Sequence, residues 1–313
     1  MSGQAPAQGL GAPLHVPGPE GPWEEVSDRL EEAGRAVICT TWGQWLTAVL
    51  LDPALRPVLG EDWARYRQEP AAAGRMRFAV SRFVVKYTAA TALEVPAHTL
   101  ELGRLPGGRP VLRGPGVEVE VSVAHTGELI VVGVSRTGPI GVDVQSAGRD
   151  LSFELLREQV CTAREGAVLA ALPEGERRAR LLALWTVKEA YAKALGPGLR
   201  GPLSAFGLGR DRQGRLVLDE APHAGAAGGA AGGVAGGAGG GEWSFATHLV
   251  QDRYLVGEAH QRRPAGTSVR EAGADTGSRS AAGPLEERGP GPEGELRFLR
   301  PVTSGRDQGR RTR

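Results

Sequence analysis

The chain of 313 residues predicts an α+β fold of two similar subdomains. A helical segment followed by a pair of short strands occurs twice along it. Those strands follow one another closely, which suits antiparallel pairing rather than crossover connections. The 47 glycines and 22 prolines are concentrated in three segments, and the remainder has an ordinary globular composition.

Those three segments set the expected boundaries. Residues 1–22 are rich in Pro and Gly, and a disordered leader is expected over 1–35. The run AGAAGGAAGGVAGGAGGG at 224–241 is a low-complexity insert, and 261–313 mixes Gly, Pro, Arg, Ser and Glu with few apolar residues. Such composition buries too little apolar surface to offset the entropy of ordering, so the tail is expected to be disordered. The N-terminal subdomain is placed at 36–138 and the C-terminal one, containing the insert, at 139–260. The formal net charge of +1 gives no global field for capturing nucleic acid; the Arg-rich tail ending GRDQGRRTR would suit a nucleic-acid or partner arm, but acidic residues interrupt it earlier. Two cysteines, Cys39 and Cys161, make no disulfide framework. No apolar stretch suits a secretory leader or a membrane span. A soluble, cytoplasmic, monomeric protein is expected.

Within the folded part, AVICTTW (36–42) is an opening strand. The segment 74–93 is a helix mixing Phe78, Phe83, Val85 and Leu93 with Arg75, Arg77, Arg82 and Lys86. GGRPVLR turns into a short strand. VEVEVSVAH (117–125) alternates as a half-buried strand should, LIVVGVS (129–135) is its partner, and PIGVDVQ (139–145) is the next strand. LSFELLREQVCTAREGAVLAAL (151–172) and RLLALWTVKEAYAKALG (180–196) are helical. SAFGLGRDRQGRLVL is a hairpin turning at 211–214, and EWSFATHLV with RYLVGEA forms the last pair.

The chemistry is carried by a few charged residues in apolar surroundings. In GVDVQ, residues two apart share a face, so Asp143 and Gln145 project together while Val142 and Val144 fill the other side. Two oxygen donors so spaced suit a hard cation; the pentapeptide alone is equally an edge strand with a solvated face. On the 180–196 helix, Leu184, Val187, Tyr191 and Leu195 form one apolar stripe. Glu189 and Lys193 lie four apart beside Trp185, and Lys188 falls near the stripe's edge, where an unpaired ammonium is costly. Alone, Glu189 and Lys193 are also what a surface ion pair looks like. His125 ends a strand before Thr126 and Gly127, where a histidine either contacts a phosphate or fills a turn.

Taken in order, the basic helix, GGRP, AHTG, GVDVQ and WTVKEAYAKALG resemble the phosphopantetheinyl transferases of the larger, surfactin-synthetase-activating (Sfp) type. The strand matches at Gly141 and Asp143, the helix at Trp185, Lys188, Glu189, Ala190, Lys193 and Gly196. The resemblance covers roughly 36–260. It implies a pseudo-twofold pair of α+β subdomains with coenzyme A between them, and transfer of 4'-phosphopantetheine from coenzyme A to a serine of an acyl or peptidyl carrier protein, releasing adenosine 3',5'-bisphosphate. It further implies that Asp143, Gln145 and Glu189 hold Mg²⁺, with Glu189 also the general base. Lys193 would steady the diphosphate, Lys188 would support that site, and Arg77, Arg109 and His125 would contact the nucleotide phosphates. Gln145 departs from the family, which often has an acid there; as a neutral amide it should hold Mg²⁺ more weakly. That departure leaves a second expectation, a relative that binds coenzyme A or a carrier protein without transfer.

Overall fold

The computed structural model describes residues 10–104, 109–114, 118–150, 152–196, 201–220 and 241–263, all within the compact unit Met1–Asp275. The same order of elements runs twice. The first pass is strand β2 (Arg35–Thr41), helices α2 (Trp42–Leu51), α3 (Leu55–Leu59) and α4 (Trp63–Gln68), and the long helix α5 (Ala72–Leu93). It ends with the hairpin β3 (Glu101–Arg104) and β4 (Pro110–Arg113), then β5 (Glu120–Thr126) and β6 (Leu129–Ser135). The second pass is β7 (Ile140–Ser146), α6 (Phe153–Val160), α7 (Ala163–Ala170) and the long helix α8 (Glu174–Leu195). Its hairpin is β8 (Gly207–Arg210) with β9 (Leu216–Glu220), and β10 (Glu242–Val250) and β11 (Tyr254–Arg262) close it. In each half the first strand pairs with the last and the last with the one before it, giving open antiparallel sheets β2-β6-β5 and β7-β11-β10. A short strand β1 (Leu14–His15) adds in parallel outside β2.

Strand alternation explains the layering. Ala36, Ile38, Val132 and Val134 pack with Phe83 and Val84 of α5, whereas the opposite faces, Val37, Cys39 and Val131, meet Ile140, Val142, Val144 and Val256 of the other sheet. On the far side of that second sheet, Ala259 and Phe245 pack against Val187, Ala190 and Tyr191 of α8. Each sheet therefore carries its long helix on one face and the other sheet on the opposite one. The two sheets also touch edge to edge, where the Val142 N–H donates to Ser122 Oγ at 3.1 Å.

The leader expected to be disordered contains structure. Helix α1 (Trp23–Ala33) buries Val26 and Leu30 and ends on Gly34 in the left-handed conformation (φ 72°), and Val16 is fully buried. Its apolar residues lie four apart on an otherwise charged helix, a narrow stripe that bulk composition conceals. Helices α2 to α4 fill 42–68, where the sequence reading predicts nothing beyond Trp42 as the end of the opening strand. The 151–172 segment is two helices: Thr162 and Glu165 form a reciprocal capping box that starts α7. Helix α8 begins earlier than expected, with Pro173 as its N-cap. Residues 221–240, nearly all of the Gly/Ala insert, and the tail from 264 lie outside the described residues. Among the described residues no helix is long and apolar enough to cross a membrane.

Candidate active site

The site forms where α8 crosses β7, and two glycines permit the approach. A Cβ on Gly141 would lie 1.9 Å from the Ala190 carbonyl oxygen, and one on Gly257 2.6 Å from that of Thr186. Gly257 is the register partner of Asp143, so bare backbone on two neighbouring strands lets α8 lie flush on the sheet. Asp143, on the same face as Gly141, then meets the helix side chains directly. It is 6 % exposed; its Oδ1 accepts from Lys193 Nζ at 2.7 Å and its Oδ2 from Gln145 Nε2 at 2.8 Å.

Glu189 stands one turn before Lys193. Its Oε1 accepts from the Trp185 indole N–H at 3.3 Å. Burial raises its pKa first and the charge of Asp143 raises it further, while Lys193 and the Trp185 hydrogen bond act the other way. The two carboxylates and the lysine thus form one electrostatic group, assembled from residues 50 positions apart in the Asp143–Lys193 pair. Among the described residues no group of three His, Cys, Asp or Glu side chains could hold a metal by itself. Two carboxylates are nonetheless a fitting donor set for a Mg²⁺ that takes its other ligands from phosphate and water.

The remaining expected residues divide. Gln145 joins the group, yet both ends of its amide are engaged: Nε2 donates to Asp143 and Oε1 accepts from Arg149 Nη1 at 2.9 Å. Arg109 donates to Glu120 at 2.7 Å and lies against the end of α8, where a Cβ on Gly196 would come within 3.0 Å of its Nη1. His125 is exposed near the end of β5. Arg77 is exposed on α5 and stacks over Trp42 at 5.4 Å; among the described residues it makes no ion pair.

Lys188 corrects the expectation. It is fully buried and turned away from the carboxylates. Its Nζ lies 2.6 Å from Glu165 Oε2 and 2.7, 3.1 and 2.6 Å from the carbonyl oxygens of Val160, Leu203 and Phe206. Glu165 in turn accepts from the backbone N–H of Thr162 and Leu208. A lysine on an apolar stripe must find such acceptors or a site; this one ties α6, α7 and the β8 hairpin to α8.

Sequence reasoning missed Arg149, Gly257 and Glu165. The T-x-x-E capping box around Glu165 was a readable signal. Gly257 in YLVGEA was readable only as an unexplained glycine in a strand. Arg149 had no signal beyond lying four residues after Gln145.

The structure thus defines a duplicated α+β chain with two carboxylates and a lysine gathered under a glycine-packed helix. Comparison with known proteins gives the class its name. The profile of the 4'-phosphopantetheinyl transferase superfamily matches residues 139–254, a span that holds Asp143, Glu189 and Lys193. The Synechocystis sp. protein slr0495, named for that transferase, is 31% identical over 170 residues, covering 50% of this chain and 67% of its own length. The 4'-phosphopantetheinyl transferase HetI of Nostoc sp. is 27% identical over 127 residues (40% and 54%). The human L-aminoadipate-semialdehyde dehydrogenase-phosphopantetheinyl transferase is 22% identical over 249 residues (74% and 75%). This chain belongs to the 4'-phosphopantetheinyl transferase superfamily.

Proposed function

We propose that the chain transfers 4'-phosphopantetheine from coenzyme A to the serine hydroxyl of an apo acyl or peptidyl carrier protein, with Mg²⁺, releasing adenosine 3',5'-bisphosphate. The observation that carries this reading is the coupling of Asp143, Glu189 and Lys193 into one group on facing elements. In the reaction the serine oxygen bonds to the phosphorus bearing pantetheine, and the bond from that phosphorus to the bridging oxygen breaks. The bridging oxygen leaves with the nucleotide phosphate.

Each residue has a task that its surroundings suit. Glu189 takes the serine proton, directly or through a water; its raised pKa makes it a stronger base than a solvated glutamate. Lys193, fixed by Asp143, faces the diphosphate as a cation already in place, so little reorganisation is needed as charge grows on the leaving oxygen. Asp143 and Glu189 are the residues that would hold Mg²⁺, which when bound neutralises diphosphate charge. Arg109 at the end of α8, His125 and Arg77 are assigned to the nucleotide phosphates. Because both halves lie in one chain, the functional form is proposed to be a cytoplasmic monomer.

The test is to incubate the protein with apo carrier protein, coenzyme A and magnesium chloride, and to weigh the carrier by mass spectrometry. A gain of one phosphopantetheine group is expected. An unchanged carrier, with coenzyme A still bound by the protein in a separate titration, would instead establish a binder without transfer.

A further inference from the structure

Gln145 stands where the resemblance implies an acid, and its neighbours suggest what the amide does. We propose that Gln145 is a positioning residue that holds Arg149 beside the carboxylates, and that Arg149 clamps a phosphate of the coenzyme A diphosphate; this rests on the transferase reading above.

Three hydrogen bonds run in sequence through the site. Arg149 Nη1 donates to Gln145 Oε1 (2.9 Å), Gln145 Nε2 to Asp143 Oδ2 (2.8 Å), and Lys193 Nζ to Asp143 Oδ1 (2.7 Å). From the helix side, the Arg149 guanidinium stands 5.2 Å over the Trp185 ring, whose N–H donates to Glu189. The donor and acceptor ends of the chain fit only one orientation of the amide: its nitrogen must face the carboxylate and its oxygen the guanidinium. A carboxylate at 145 could not donate to Asp143 and would repel it.

The consequence lies in the charge. Arg149 is exposed, yet it is held by a neutral amide and an aromatic face, and among the described residues it makes no ion pair. Neighbouring arginines differ: Arg157 pairs with Glu154 and Arg178 with Asp150. A guanidinium fixed without a carboxylate keeps its full charge, and with one of its five N–H groups spent on Gln145 the others remain for a ligand. The Trp185 ring beside it restricts the guanidinium's position, and its fork of N–H groups suits two-point recognition of phosphate oxygens. Lys193 and Arg149 then approach the Asp143–Gln145 pair from its two ends, one cation anchored by an acid and the other by an amide.

The experiment is a titration of the full chain with coenzyme A by calorimetry in magnesium chloride, alongside transfer kinetics. The set is the parent, Arg149→Ala, Arg149→Lys, Gln145→Ala and the Gln145→Ala/Arg149→Ala double variant, each checked for an unchanged melting temperature. A charge-assisted hydrogen bond is worth roughly 1.5–3 kcal/mol. Arg149→Ala should therefore weaken coenzyme A binding by about ten-fold or more and raise KM for coenzyme A by more than it lowers kcat. Arg149→Lys should recover part of the loss. Gln145→Ala should weaken binding in the same direction, and the double variant should be no worse than Arg149→Ala, because both act through one guanidinium. Parent affinity in Arg149→Ala overturns the proposal. So does a rise confined to the carrier protein's KM, which would assign Arg149 to docking. Independent, multiplying losses in the double variant would remove Gln145's positioning role. A parent that binds no coenzyme A would overturn the transferase reading itself.

Discussion

The two long helices are the same piece of scaffold put to different uses. Lys86 of α5 and Lys188 of α8 are both fully buried, and each donates to the carbonyl oxygen of a residue 28 positions earlier, Val58 and Val160. With the lysines aligned, Phe83 corresponds to Trp185, Tyr87 to Glu189 and Thr91 to Lys193. On the opening strands, facing the helices, Ala36 and Ile38 correspond to Gly141 and Asp143. Tyr87 belongs to an aromatic cluster with Trp23, Trp45 and Phe83, whereas Glu189 belongs to the charged group. The buried lysine common to both halves is thus architectural, and the charges found only in the second half are the ones proposed for the chemistry. This is the physical reason that Lys188, although it stands beside Glu189 in the motif, has its amine engaged within the scaffold.

The contrast is broken most severely at the position where it is sharpest. Glu189→Gln should lower transfer by about 10²–10⁴-fold, the usual worth of a placed general base, whereas Tyr87→Phe in the first half should leave the rate unchanged. The loss should come without loss of stability. Glu189 has its folded pKa above the unfolded value, so its contribution to stability is present at low pH and is lost as pH rises through the folded pKa. At neutral pH the amide variant should melt no lower than the parent.

The lysines should behave in the opposite way. Lys188→Ala leaves Glu165, 7 % exposed, as a buried uncompensated carboxylate, a change that costs about 3–5 kcal/mol. Lys86→Ala should cost less, because its acidic neighbour Glu101, 3.7 Å away, has a side chain 33% exposed that water can serve. Urea unfolding of both variants gives the comparison. Next in size, Gly141→Ala sets a methyl against the Ala190 carbonyl oxygen and should destabilise by about 1–3 kcal/mol with a disproportionate loss of transfer; Ala36→Gly, its counterpart, should spare transfer.

Two smaller effects sharpen the picture. The Trp185 indole bonds to Glu189, so its fluorescence, taken as the difference between the parent and Glu189→Gln, should titrate in metal-free protein with a midpoint above the ordinary 4.5 of a glutamate. Burial pushes the thiols of Cys39 and Cys161 up to about 11, so thiol reagents at pH 8 should react with the native protein slowly and with unfolded protein at once.

Much of this was legible in the sequence because local patterns dictated it. The alternation in VEVEVSVAH and GVDVQ gave the strands and the faces of Asp143 and Gln145, and the i, i+4 spacing placed Glu189 with Lys193. What stayed hidden depended on contacts distant along the chain. The direction of Lys188 is set by acceptors at Val160, Glu165, Leu203 and Phe206, which no window around WTVKEA contains. The anchoring of Arg149 depends on Trp185, on another element. Helix α1 was hidden by composition, since Val26 and Leu30 are a small apolar share of a polar leader.

The central claim is that Asp143 and Glu189 act on one substrate diphosphate as a single unit. A double-mutant cycle on kcat/KM with Asp143→Asn and Glu189→Gln tests it most directly. The account predicts that the double variant is little slower than the worse single one. Losses that simply multiply, as for two independent sites, would contradict it.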